Sequence, residues 1–331
     1  MKKERIEFYD FLRGIAIIMV VGIHTFKAYP IDTPMGFIVT FIRQILNCAV
    51  PIFLGLSGLF CSKKILGTKA AYISFLTKQI PKVYIPALIW SLPYFMQNVI
   101  GLNRGGYSPA VQAITLFMCG YSIYYFIALI VQYYFLLPIL QKYKSVMMPI
   151  SIISSMLSIT IITFLTKILG IQIPLIVFAG PFTTWFVFFM LGVYYTTSPI
   201  NYTIKQSAAI TILGLMLEYI ETYYLNMNYG GGYGIKISSF IYSIGIVMLL
   251  LTPKMKSMYK SNKLTFTIAY LGRISFGIYL IHYFVIKIST FILPLRSWAL
   301  SWIIVIMITA IVIMLFRKYL PQKINKYLGF S

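Results

Sequence analysis

Acidic residues are scarce in this chain: six Asp and Glu stand against 28 Lys and Arg among 331 residues, and charged side chains make up only 10%. Histidine is scarcer still, with two, His24 and His282. With so few acids and no cysteine near either imidazole, a third metal ligand is hard to find, so no metal site is expected. Cys48, Cys61 and Cys119 lie singly in or beside apolar runs, without the paired spacing of zinc or thiol redox sites, and read as packing residues. No G-x-S-x-G turn occurs, which leaves hydrolase chemistry of the serine-histidine-acid kind unsupported; Ser57, in LSGLF, is at best a helix break. The cluster Gly230, Gly231, Gly232 lacks the strand-turn-helix setting of a phosphate loop and reads as a turn. No internal repeat stands out, which weakens an inverted-repeat transporter reading.

What the chain has is apolar length. Sixty per cent of its residues are apolar, in recurring runs long enough to cross a bilayer, so lipid is the solvent for most of it. Windows of about twenty residues place spans near 8–28, 36–61, 83–101, 121–140, 146–166, 176–196, 206–225, 236–252, 274–293 and 298–316. The expectation is an all-α integral membrane protein of about ten transmembrane helices, forming one membrane domain over residues 1–331 with no soluble domain at either end. The second span is broken by Pro51, and an apolar piece at 110–119 reads as re-entrant or interfacial. Only MKKERIEFYD precedes the first span and no small-residue cleavage pattern follows it, so it reads as a retained helix.

The +22 charge is a topology signal in this setting. Lys2, Lys3 and Arg5, then Lys63, Lys64, Lys69, Lys78 and Lys82, then Lys254, Lys256, Lys260 and Lys263, then Arg317, Lys318, Lys323 and Lys326 all fall on one side of the predicted spans. That side is the cytoplasm, which puts both termini there in a multi-pass protein of the cell membrane. No nucleic acid is expected as a partner, because loops this short carry no basic surface with interleaved aromatics.

A titratable side chain inside a span needs a partner or a task. In the stretch RGIAIIMVVGIHTF, Arg13 and His24 are eleven residues apart, hence about 20° from eclipsed on a helix and roughly 16 Å apart along its axis. Asp10 lies on the same stripe, three residues before Arg13. One face of the first helix therefore carries acid, base and imidazole, and should turn toward a wet, protein-lined cavity. His282 is also mid-span, at a depth compatible with His24, and has a packing role as its alternative. Glu218, in LGLMLEYIETYY, falls near the depth of His24. Beside an imidazole it would hold the tautomer and raise the basicity; alternatively Glu218 and Glu221 pair with a lysine such as Lys236.

These residues resemble a known family. FYDFLRGIAIIMVVGIH is similar to the first membrane helix of the acyltransferase-3 family of bacterial integral membrane O-acyltransferases, with its Arg, ten residues, then His. AVPIFLGLSGLF, FLTKQIPKVYIPALIW, SIYYFIALIVQYYFLLPIL, FFMLGVYY and RISFGIYLIHYF resemble later helices of that family, so the likeness runs over most of the chain. The resemblance implies transfer of an acyl group, usually acetyl from cytoplasmic acetyl-CoA, to a hydroxyl of an envelope or secreted polysaccharide or its lipid-linked precursor. It makes His24 the essential imidazole, Arg13 (with Asp10 before it) its partner in the donor path, and His282 the second histidine. Acetyl-CoA enters as donor substrate, with no bound cofactor. Basic positions that are often arginine in the family are Lys63, Lys64, Lys78 and Lys82 here, which meet a phosphate as point charges and without a bidentate fork. His24 acts either as general base or as a transient acyl carrier. The rival from another class is a polysaccharide or lipid-linked sugar exporter or flippase whose path the polar stripe lines; a third reading is the membrane half of a sensor or racemase.

Overall fold

The computed structural model describes residues 6–100, 108–197, 202–292 and 297–331. Lys2, Lys3 and Arg5, and the last residue of the expected spans 83–101 and 274–293, lie outside these. Among the described residues the regular structure is helical. Five helical stretches are long and apolar enough to cross a membrane: Pro34–Ser62, Ser122–Lys142, Lys144–Ile168, Ser275–Ile292 and Trp298–Tyr319. Large apolar side chains stand exposed around them, among them Ile153 at 67% and Met307 at 50%. Exposure on that scale is foreign to a water-soluble surface and suits a lipid-facing one. The molecule is a helical, multi-pass membrane protein.

The first helix, α1 (Glu7–His24), runs through the core with Leu12, Ala16, Ile17 and Val21 buried. It stops at His24, short of the expected 28, where the Thr25 hydroxyl donates back to the Val21 carbonyl at 2.9 Å. The expected second span is two helices, α2 (Pro34–Ile45) and α3 (Ala49–Ser62), joined by a 3₁₀ turn at Leu46–Cys48. Pro51 explains the joint: it has no N–H to give the carbonyl of Asn47, and its ring crowds that carbonyl, so the preceding turn tightens.

Helix α4 (Lys69–Val99) starts well before the expected 83 and absorbs most of what read as a basic connection. Thr68 caps it, accepting from the Ala71 N–H at 3.2 Å. Its first turns are amphipathic and basic, so an apolar window misses them although the helix is continuous. The apolar piece before the fourth span is a separate short helix, α5 (Pro109–Phe117), followed by α6 (Tyr125–Lys142) and α7 (Lys144–Thr163). The expected span 176–196 divides into α8 (Leu175–Ala179) and α9 (Phe182–Thr197) around Gly180 and Pro181. The side-chain amide of Gln132 fills that break, donating to the Gly180 carbonyl at 2.8 Å and accepting from the Phe182 N–H at 3.2 Å. Backbone groups freed inside a membrane need such a substitute.

Helix α9 is buried all round, Trp185 to Leu191 being at most 4% exposed, and α3 packs along it. Helices α10 (Ile204–Tyr229) and α11 (Ile237–Leu251) form a second close pair. A short α12 (Pro253–Met258) leads to α13 (Lys263–Arg273), α14 (Ser275–Ile292), α15 (Trp298–Tyr319) and α16 (Gln322–Tyr327). Cys48, Cys61 and Cys119 are buried free thiols.

Candidate active site

Where α1 begins, four charged side chains meet. Asp10 is 1% exposed; its Oδ1 takes Arg13 Nη1 at 3.2 Å and its Oδ2 lies 3.6 Å from Arg273 Nε. The Asp10–Arg13 pair is thus the one expected from helical spacing, and Arg273, the last residue of α13, joins it from outside. Arg273 Nη2 also lies 3.9 Å from Glu7, whose other oxygen accepts the hydroxyls of Tyr259 and Ser261, each at 2.7 Å. Those hydroxyl donors, Ser261 first, hold the Glu7 carboxyl below the usual carboxylate range, with the Arg273 charge acting the same way. Glu7 is therefore a carboxylate at neutral pH.

Two glycines bring α1 and α13 close enough for this. A Cβ at Gly14 would collide with the Ile268 carbonyl, and one at Gly272 with the Asp10 carbonyl. Gly272→Ala should therefore lower stability by about 1–3 kcal/mol, the usual result of overpacking. It should also weaken activity by pushing Arg273 from Asp10. The thermal midpoint of the purified variant checks the first expectation and acyl transfer in membranes the second.

At the other end of α1 the two histidines meet, their ring centroids 5.3 Å apart and their planes tilted by 42°. Tyr283 closes on His24 edge-on at 6.0 Å. His282 is fully buried and its Nδ1 donates to the Ile278 carbonyl one turn back on α14 at 2.9 Å. A carbonyl can only accept, so the proton sits on Nδ1, and Nε2 keeps a bare lone pair with no hydrogen-bond partner. His24 is half-buried. The end of its helix is fixed from α15: Trp298 Nε1 donates to the Gly22 carbonyl at 3.0 Å and Trp302 Nε1 to the Ile18 carbonyl at 2.7 Å.

The polar stripe of α1 is real but serves two neighbourhoods. Arg13 lies over the Phe60 ring at 4.7 Å, against α3, whereas His24 faces α14. Helical spacing says which side of its own helix a residue occupies and leaves open which helix lies opposite.

Glu218 is fully buried but its partner is not an imidazole. Its Oε1 accepts from Asn47 Nδ2 at 2.6 Å and from Lys236 Nζ at 3.2 Å, so the alternative pairing with Lys236 is the one formed. Lys236 is 1% exposed and also donates to Gln44 Oε1 at 2.7 Å; Arg43 Nη1 donates to Asn47 Oδ1 at 2.5 Å. Arg43 in turn stands over the Phe26 ring at 5.5 Å, two residues beyond His24. Glu221 binds the backbone N–H and hydroxyl of Ser238. The network joins α2, α10 and α11. Its α2 members, Arg43 and Gln44, with Asn47 in the 3₁₀ turn, are polar intrusions in an apolar run, and that signal was there to be read in TFIRQILNC.

The four lysines expected to meet phosphates separate. Lys63 lies near the rings of Phe60 and Tyr9, at 5.7 and 5.9 Å, beside Arg13. Lys64 and Lys78 are exposed. Lys82 lines a pocket with Arg273, Lys323 and Lys326. No curated protein and no solved structure matches the chain. Residues 6–318, nearly all of it, match a family model described as an acyltransferase domain, and with that match the chain belongs to the acyltransferase-3 family.

Proposed function

We propose that this protein is a membrane O-acyltransferase that moves acetyl from cytoplasmic acetyl-CoA to a hydroxyl of an envelope or secreted polysaccharide, or of its lipid-linked precursor. On this reading the whole chain is one membrane domain of ten crossings in the cell membrane with both termini cytoplasmic, so that the basic ends of α3 and α4, with Lys63, Lys64, Lys78 and Lys82, meet the donor side. The observation that carries it is the histidine pair: two imidazoles in contact inside a lipid-facing bundle, one with an unpartnered Nε2, in a chain of a family of acyltransferases.

Acyl transfer to a hydroxyl needs a group that takes the hydroxyl proton as the C–O bond forms. His24 fills that role. The hydroxyl oxygen attacks the thioester carbonyl carbon, the C–S bond breaks, and the proton taken by His24 passes to the departing CoA sulfur, which leaves as thiol. The lone pair that His282 keeps on Nε2 has no partner in the resting structure, so it is free to take the His24 N–H once the substrate hydroxyl docks, which leaves the opposite nitrogen of that ring for the hydroxyl. Lacking a carboxylate, the pair relies on position more than on raised basicity. Arg13 and Arg273, fixed on buried Asp10, steady the donor at the cytoplasmic end, and the Glu218–Lys236 pair holds α10 and α11 against α2 near Phe26.

Mass spectrometry of surface glycans from cells with and without the gene tests the substrate class. The proposal expects acetyl esters that vanish on deletion and return with the intact gene; identical glycans in both strains would defeat it.

A further inference from the structure

At the end of the bundle that holds Asp10, α4, the first turn of α14 and the C-terminal segment enclose a pocket of about 580 Å³. Lys82, Arg273, Lys323 and Lys326 line it, with Gln79 and Gln322 beside them. Glu7 and Asp10, the carboxylates nearest Arg273, are already taken up in ion pairs with Arg273 and Arg13. Among the described residues no side-chain carboxylate pairs with Lys82, Lys323 or Lys326, and with the terminal carboxylate of Ser331 counted in the lining the pocket still keeps a net positive charge. Like charges gathered this way repel each other unless an anion occupies the space between them.

The walls are built in advance. Trp90 Nε1 donates to the Leu328 carbonyl at 3.1 Å, just after α16, and Asn325 Nδ2 donates to the Leu320 carbonyl at 2.9 Å, which fixes the turn that leads into α16. Phe330, 2% exposed, packs on Trp90 and Phe316 and over Gly277, where a Cβ would press on its ring. The pocket is also connected to the histidines. Its floor is the start of α14, and His282 lies five residues beyond Gly277 on that helix, about 7.5 Å along the axis.

We propose that this pocket seats the phosphate groups of the acyl-CoA donor, with Lys323 and Lys326 of the C-terminal segment and Lys82 of α4 as their counter-charges. The assignment rests on the acyltransferase reading and adds to it two residues, Lys323 and Lys326, that no family motif quoted above contains. It also divides the basic rim: phosphates go to this pocket, and not to the Lys63 group on the far side of Arg13. A phosphate here has two sources, CoA or the headgroup of an anionic lipid, and the experiment separates them.

The full chain is purified into discs of zwitterionic phosphatidylcholine, and CoA and pantetheine, which lacks the phosphates, are titrated by calorimetry. The pocket predicts that CoA binds the wild type at least about tenfold more tightly than pantetheine, and that Lys323→Gln with Lys326→Gln removes about that factor for CoA alone, as expected for charge-assisted contacts. Lys323→Arg with Lys326→Arg should restore CoA binding, which separates lost charge from lost folding. Unchanged CoA affinity in the glutamine variant overturns the assignment, as does a loss seen with Lys63→Gln instead. A defect that appears only in discs containing phosphatidylglycerol gives the pocket to a lipid headgroup and overturns it too. Wild type that binds CoA through these lysines yet never releases acetyl in transfer assays would leave the pocket standing and sink the transfer reading; turnover with a glutamine variant of unaltered affinity would do the reverse.

Discussion

Replacing His24 with alanine lowers acetyl transfer by about two to four orders of magnitude, the range a positioned general base contributes. The protein still inserts, because His24 is the last residue of α1 and makes no hydrogen bond that the helix end depends on. Those are made by Thr25, Trp298 and Trp302 to carbonyls further back. His282→Ala should lose less, since its task is to orient its neighbour, and His282→Asn should recover part of the loss by again placing an acceptor beside the His24 ring. Initial rates of acetyl incorporation, normalised to protein in the membrane fraction, measure all three. Equal losses in both alanine variants would mean that the imidazoles act as one unit, and an unaffected His24→Ala would remove the proposed base.

The largest effect on stability belongs to the buried network at α2, α10 and α11. Lys236→Met leaves Glu218 fully buried without its cation, and breaking a buried ion pair on one side typically destabilises by about 3–5 kcal/mol. Lys236→Met with Glu218→Leu should regain most of that, because two apolar groups of similar size need no partner. Thermal midpoints in detergent decide the matter: a deep drop for the single variant and recovery in the double. A single variant as stable as the wild type would show that the pair is already wetted or neutral. Activity of the double variant separates support from chemistry, since a carboxylate that only holds helices together can be dispensed with.

Much of this was legible in the sequence, and its omissions have physical causes. Hydropathy located the apolar stretches because a bilayer imposes length on every crossing. It misplaced the start of α4, since Lys69, Lys78 and Lys82 dilute any apolar window although the helix is continuous there. Spacing on α1 gave the Asp10–Arg13 pair because both residues share one helix. It could not give Arg273, Asn47 or Lys236, whose partners stand on other helices; the Asn47–Glu218 contact spans 171 residues of chain. The depth argument brought His24 and His282 together, as both lie well inside apolar runs. It also put Glu218 near an imidazole, and there depth misled: two groups at one level of a bundle need not be neighbours. Lys323 and Lys326 read as topology signal and nothing more until the folded C-terminal segment turned them into a pocket.

Transfer chemistry at His24 is tested most directly in a sealed two-sided system. Reconstituted into liposomes with acetyl-CoA on the side of Lys82 and the producing strain's glycan on the other, the wild type should release CoA thiol in step with acetyl ester formation, and His24→Ala should do neither. Glycan crossing the membrane while acetyl-CoA stays intact, or thiol release that ignores the loss of His24, would contradict it.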